Sequence, residues 1–285
     1  MRAIVLGSGG MLGGELLRQF EKDSSFEAIG FSHSELNVLD SESLRNIFEQ
    51  HHPDVVWNCV AYNAVDRAET DLDAANELNA KFPEKLAKLS KEFGAKLVHF
   101  SSGYIFDGKT GNGYQENSEP APINAYGQSK LVGEKVVSEN INQHYIIRLN
   151  WLFGKPGSGA QSKKSFPDMV IDLANKESSE PLRMVSDEIA TPTFAEDLAI
   201  ESIRLVKEDE PFGIYHLTNS GQASWYDFAN ETLKLNGISV QINPISSRDL
   251  KRAAIRPKNA VLLNTKHPVL RDWREALAAY YNTSI

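Results

Sequence analysis

The first thirteen residues constrain this chain more than any other stretch. An apolar run, Ala3-Ile4-Val5-Leu6, passes without a linker into Gly7-Ser8-Gly9-Gly10-Met11-Leu12-Gly13, and a helical pattern takes over at about residue 11. A strand, a glycine turn and a helix in that order bring backbone close to backbone. Gly7 permits the tight turn, Gly10 lets the main chain approach a pyrophosphate, and Gly13 lets helix and strand pack together. The helix start adds free N–H donors and positive potential, which suit a phosphate group. A glycine triplet alone is weak evidence; its place between the first strand and the first helix gives it weight as a dinucleotide site over a merely structural turn.

Short apolar runs and helical patterns then alternate. Strands are expected at 3–6, 27–31, 54–60, 96–101 and 145–149, with helices at 11–22, 41–51, 73–93 and 124–141 between them. Such alternation implies a parallel sheet with helices on both faces and right-handed crossovers. The expected class is therefore α/β, a Rossmann-type doubly wound parallel sheet over residues 1–150 with returns near 183–218. The remainder, 151–285, reads as a small C-terminal α/β substrate-binding domain. It opens on the Gly/Ser/Lys-rich stretch 154–165, and continues with helices near 166–176, 194–207, 224–236 and 272–281 and extended runs at 183–186, 213–218 and 238–245.

The second strand ends in Phe31-Ser32-His33-Ser34 without the acidic residue that would take a free ribose 2′-hydroxyl. These side chains leave room for a 2′-phosphate, so the cofactor expected is NADPH or NADH with a lean toward NADPH. Ser32 to Ser34 read equally well as a polar turn.

Composition excludes other classes. With 41% hydrophobic and 24% charged residues among 285, the chain is of ordinary globular make-up. A net charge of −8 disfavours a nucleic-acid partner. No stretch reaches the roughly 18–20 apolar residues of a membrane span, and the start MRAIVLGSGG turns to glycine too soon for a signal peptide. A cytoplasmic protein is expected. The single cysteine, Cys59, lies in the apolar DVVWNCVA and is read as a buried, unreactive strand residue. The seven histidines have no ligand spacing, and no metal site is expected.

Asn124-Ala125-Tyr126-Gly127-Gln128-Ser129-Lys130 enters the helix after the fourth strand, which puts Tyr126 and Lys130 on one face. A nearby ammonium favours the phenolate and lowers the tyrosine's pKa, so Tyr126 could exchange a proton with a ketone oxygen while hydride reaches the carbon. The spacing is common by chance; its place behind the glycine turn and the fourth strand makes it a candidate. Ser101-Ser102 ends that strand at the edge where open α/β sheets bind ligands. Ser102 could bond the substrate carbonyl or simply cap the turn.

With these pieces assembled, the sequence resembles the dTDP-4-dehydrorhamnose reductase family of extended short-chain reductases. The likeness is carried by GSGGMLGGEL (7–16), VAYNAVDRAE (60–69), SSGYIFDG (101–108), NAYGQSKLVGE (124–134), IIRLNWLFG (146–154), TPTFAEDLA (191–199), GIYHLTNSGQASWYDFA (213–229) and RPKNAVLLNTK (256–266). The resemblance implies a catalytic set of Ser102, Tyr126 and Lys130, with Lys130 also holding the nicotinamide ribose. It places Gly7, Gly10, Met11, Leu12 and Gly13 along the pyrophosphate, Asp40 facing the adenine, and Ala61 and Tyr62 beside the cofactor. Ser102, Gly103, Tyr104 and Trp151 would face the substrate, a 4-keto-6-deoxy nucleotide sugar, in the first instance dTDP-4-dehydro-L-rhamnose. A homodimer is the family-level expectation. Glu15 matches a position that some members use toward Mg²⁺, but a lone glutamate makes no metal site.

Departures from the family pattern cluster on the substrate side. Ser102-Gly103 stands where the family usually has Thr-Asp, Asn150 replaces a small hydroxyl residue before Trp151, and Asp187-Glu188-Ile189-Ala190-Thr191-Pro192-Thr193 alters an Asp-Gln-x-Gly-x-Pro-Thr run. They keep open a different nucleotide sugar, and also an NADP-binding regulatory subunit without turnover. An epimerase or dehydratase is disfavoured because Gly103-Tyr104 offers no carboxylate beside the serine.

Overall fold

The computed structural model describes residues 1–160, 162–176 and 180–282. Its centre is a parallel sheet of six strands: β1 (Arg2–Leu6), β2 (Glu27–Phe31), β3 (Val55–Asn58), β4 (Lys96–Ser102), β5 (His144–Leu149) and, late in the chain, β10 (Gly213–His216). The spatial order is β2-β1-β3-β4-β5-β10. Every pairing between them is parallel, for instance Val5 beside Trp57 and Trp57 beside Val98.

Both faces are covered, as continuous apolar runs require. Alternate residues divide between two cores. Ala3, Val5, Val55, Trp57, Val98 and Tyr145 pack under α1 (Met11–Phe20) and α8 (Ala195–Lys207). Ile4, Leu6, Val56, Leu97 and Ile146 pack under α2 (Ser41–His51), α5 (Phe82–Phe93) and α6 (Ala125–Asn140). The reversal of winding lies between β1 and β3, the place where such sheets open a ligand crevice.

The helix expected over 73–93 is not one element. Val65–Ala68 forms α3, Leu72–Asn76 forms α4, and a π-turn over Glu77–Lys81 leads into α5. Pro83 explains the break. It has no N–H to give to the carbonyl four residues back, that of Asn79, so the α ladder is interrupted there.

The second half adds three small sheets. β6 (Leu152–Phe153) pairs with β9 (Thr193–Phe194), and β8 (Ile189–Ala190) pairs with β11 (Ala223–Ser224). β7 (Leu182–Val185) pairs with β12 (Ile242–Ile245). The run near 183 therefore does not return to the main sheet, contrary to expectation; of the extended runs in 183–218 only β10 does. Met184 and Ile242 are instead buried with Val170 of α7 (Phe166–Ala174) and Ala229 and Leu233 of α9 (Trp225–Leu235), which gives that strand pair its own apolar cover. α10 (Trp273–Asn282) closes a further cluster with Phe153, Phe194 and Phe228. Among the described residues no helix is long and apolar enough to cross a membrane.

Candidate active site

A cleft of about 780 Å³ opens at the carboxyl ends of β3, β4 and β5 and runs to the glycine turn. Its wall is formed at one end by Gly10, Met11, Leu12 and Gly13, and at the other by Ser102, Tyr104, Tyr126, Lys130 and Trp151. Ala61 and Tyr62 lie between them, as does Cys59.

The glycine turn is built for close approach. Gly7 has φ +81°, and a Cβ on Gly13 would stand 2.3 Å from the Gly7 carbonyl oxygen, so α1 can meet β1 at this distance only with glycine there. Gly10 starts α1 in an extended conformation and no side chain caps the helix. The uncapped end of a ten-residue helix, lining the cleft, fits a pyrophosphate. Gly7 itself shapes the turn and does not line the cleft. The stretch after Gly154 folds back onto this turn: the Gly159 amide donates to the Gly9 carbonyl at 2.9 Å. Thus its first part packs on the glycine turn, while Ser162 to Ser165 line the cleft. Gln161, within it, lies outside the described residues.

α6 positions the reactive pair. Asn124 caps it, its side chain accepting from the Gly127 amide at 2.8 Å and donating to the Ile255 carbonyl at 2.8 Å, and this sets Tyr126 in the first turn. Lys130 and Glu134 follow at one-turn intervals on the same buried stripe. The Ser102 hydroxyl caps the short turn beyond it by accepting from the Tyr104 amide at 3.2 Å, one of the two uses its position allowed, and it lies close enough to the Tyr126 phenol to favour the phenolate. Burial outweighs the lowering influence of Ser102 and pushes the Tyr126 phenol up to about 12.

Lys130 is buried and donates to the Phe100 carbonyl at 2.6 Å. Burial pulls its pKa down to about 8, against the carboxylate of Glu134, which favours the charged form. The Lys130 ammonium does not depress the Tyr126 phenol as expected, because desolvation dominates both groups.

Trp151 occupies the left-handed region at φ +40°, rare for so bulky a residue, and its ring stacks on Trp225 with centroids 3.7 Å apart. The indole pair forms an aromatic wall of the cleft. Gly103 is placed differently from the expectation: it lies behind the wall, against the Asn150 side chain.

Asp40 is not brought to the cleft. Its carboxylate caps α2, accepting from the Glu42 amide at 3.2 Å and bonding Ser43, which accounts for the acid at that position. Glu15 is held by Arg18 and Gln19 within α1. Cys59 is only partly buried and lies just past β3 in the cleft wall, not within a buried strand as expected; desolvation raises its thiol.

Two residues went unnoticed in the sequence. Asn79, fully buried in the π-turn, accepts from the Tyr62 amide at 2.9 Å and donates to the Tyr62 carbonyl at 3.1 Å and to Ser129 at 2.9 Å, tying the cleft wall to α6. Its only signal was Pro83, four residues on. Glu35 lines a second groove of about 410 Å³ with Ser8, Arg18, Ser32 and Ser34, and it accepts from the Ser32 amide at 2.8 Å. It is an acidic residue at the end of the second strand, a few positions later than the usual place.

The family described as RmlD substrate binding domain matches residues 1–285. The chain belongs to that family. Similar curated proteins include the spore coat polysaccharide biosynthesis protein SpsK of Bacillus subtilis, 35% identical over 98% of this chain and 96% of the relative. A probable dTDP-4,6-dihydroxy-2-methyloxan-3-one 4-ketoreductase of Streptomyces antibioticus is 36% identical over 97% of this chain and 93% of its own. Among solved structures, the dTDP-4-dehydrorhamnose reductase of Bacillus anthracis in complex with NADP superposes with a TM-score of 0.93 at 31% identity, covering 99% of both chains. The RmlD-type frame is thus present over the whole length, and the Rossmann-type reading of the sheet holds.

Proposed function

We propose that the chain is an NAD(P)H-dependent reductase of a dTDP-linked 4-keto-6-deoxyhexose, in the first instance forming dTDP-L-rhamnose from dTDP-4-dehydro-L-rhamnose. The observation that carries this reading is the meeting of Ser102, Tyr126 and Lys130 in one cleft with the uncapped glycine turn. The likeness to a reductase described in complex with NADP and to a dTDP-keto-sugar reductase supports it.

When bound, the nicotinamide supplies hydride to the keto carbon. Ser102 orients the keto oxygen by a hydrogen bond. Tyr126, protonated over the whole working range because burial holds its phenol near 12, gives its proton to that oxygen as the alcohol forms. The tyrosine is then reprotonated from solvent. Lys130, on the same stripe of α6 and in the cleft wall, would hold the nicotinamide ribose and offset the charge left on Tyr126. The Trp151–Trp225 pair offers an apolar face to a sugar ring.

For the cofactor's second ribose, Arg18, Ser32 and Ser34 offer donors to a 2′-phosphate, while Glu35 offers an acceptor to a free hydroxyl. Use of both cofactors, with NADPH preferred, fits that mixture. The reading carries with it a cytoplasmic enzyme acting as a homodimer. The test is turnover of NADPH and of NADH with dTDP-4-dehydro-L-rhamnose. Firm NADPH binding with no turnover of this or related dTDP-4-keto sugars would sink the reductase reading in favour of a regulatory, cofactor-binding subunit.

A second substrate reading has one specific observation behind it. Gly103 and Asn150 alter the wall next to Ser102, so a dTDP-4-keto sugar other than the rhamnose precursor is the alternative.

A further inference from the structure

Asn150 follows β5 and is 3% exposed. Its backbone N–H points to the Thr193 hydroxyl at 3.4 Å, and its side-chain nitrogen donates to the Ala260 carbonyl at 2.6 Å. A carbonyl can only accept, so this bond fixes which way the amide is turned: the nitrogen faces Ala260, and the oxygen Oδ1 faces away. Oδ1 is buried and has no hydrogen-bond partner. Buried polar atoms are rarely left unpaired, and one bordering a ligand cleft is an acceptor awaiting a donor. Asn150 lines the cleft together with Ser102, Tyr104, Tyr126 and Trp151.

Gly103 gives the reason the amide can sit there. A Cβ on residue 103 would stand 2.4 Å from Asn150 Oδ1, 2.7 Å from Nδ2 and 2.9 Å from Cγ. Any side chain at 103 and the Asn150 amide therefore compete for one space, and the two positions form a coupled pair. The residue preceding Gly103 is Ser102, which lines the same cleft as Asn150 and Tyr126.

We propose that Asn150 is a specificity-determining residue whose Oδ1 accepts a hydrogen bond from the substrate hydroxyl on the ring carbon next to the reacting carbonyl, with Gly103 required to make room for it. The inference rests on the reductase reading given above. It assigns this recognition to a neutral acceptor, for which Gly103 leaves the room.

The experiment compares kcat/KM for a dTDP-4-keto-6-deoxyhexose with that for its 3-deoxy analogue, with NADPH, in the wild type and in Asn150→Ala. The wild type should favour the hydroxylated substrate by about tenfold to a hundredfold, the range expected when removal of a ligand group leaves a buried acceptor unpaired. In Asn150→Ala the ratio should fall toward one. Gly103→Ala should lower kcat/KM for the hydroxylated substrate about tenfold or more in the wild-type background and much less in the Asn150→Ala background, as overpacking relieved by a cavity predicts. NADPH affinity, read by fluorescence, serves as the folding control. Equal use of the two substrates by the wild type overturns the proposal without any variant, and so does an unchanged ratio in Asn150→Ala. Absence of turnover with either sugar, at normal NADPH binding, instead overturns the reductase reading itself.

Discussion

Tyr126 and Lys130 lie one helical turn apart, yet each takes its state from burial before anything else. The phenol, pushed up to about 12, is a reservoir of one proton. Tyr126→Phe keeps the packing and removes that proton: kcat should fall by about 10²- to 10⁴-fold, while NADPH affinity is retained. Undiminished turnover would remove Tyr126 from the chemistry. Lys130, pulled down to about 8, is cationic below that pH and loses its proton as pH rises through it. If the ammonium is the working form, kcat/KM, which reports the free enzyme, should decline on the alkaline side with an apparent pKa near 8. A flat profile there would mean that the neutral amine suffices. Spacing on a helix made the pair legible in the sequence; the balance between burial and charge was not, because depth in a fold is not a property of spacing. Asp40 shows a related limit of sequence: an aspartate before a helix serves equally as a cap and as a ligand contact, and its carboxylate caps α2.

At the scale of elements, the strands were the most readable part, since β1, β3, β4 and β5 are apolar on both faces and announce a covered parallel sheet. The run near 183 was read as a further return to that sheet because it is apolar, but apolarity does not say which layer covers a residue; Met184 is covered by α7 and α9. The segment 65–93 was the least readable. Its helical periodicity survives the π-turn well enough to look continuous, and Asn79 appears as an ordinary polar residue until its bonds to Tyr62 are seen. Asn79→Ala would leave the half-buried Tyr62 amide and carbonyl without these partners and would empty a fully buried site beside Ser129. The expected cost is about 2 kcal/mol of stability, measured by urea unfolding, with weaker NADPH binding because Tyr62 borders the cleft. An unchanged affinity would confine Asn79 to a structural role. Gly13→Ala should force α1 away from the turn. A loss of about 1–3 kcal/mol is expected, again with weaker NADPH binding; full affinity would show that the turn can yield without harm.

At the scale of the molecule, a buried ion pair links the catalytic helix to the sheet. Arg148 of β5 is gripped by Glu134 of α6 at 2.9 and 2.7 Å, both side chains being almost fully buried. Glu134 also supports the charge on Lys130. Glu134→Gln should destabilise by about 3–5 kcal/mol, since it strands a buried guanidinium, and should move the alkaline limb of the pH profile downward. A shift without destabilisation, or destabilisation without a shift, would separate the two roles. The substrate side joins this frame through Trp151, just past the end of β5, and Trp225 at the start of α9, which stack on one another. The most direct test of the whole account is the oxidation of NADPH by the purified chain in the presence of dTDP-4-dehydro-L-rhamnose, with the sugar product identified. One NADPH consumed per dTDP-L-rhamnose formed, and none by Tyr126→Phe, is the result expected; tight NADPH binding with no oxidation in the presence of the keto-sugar would contradict it.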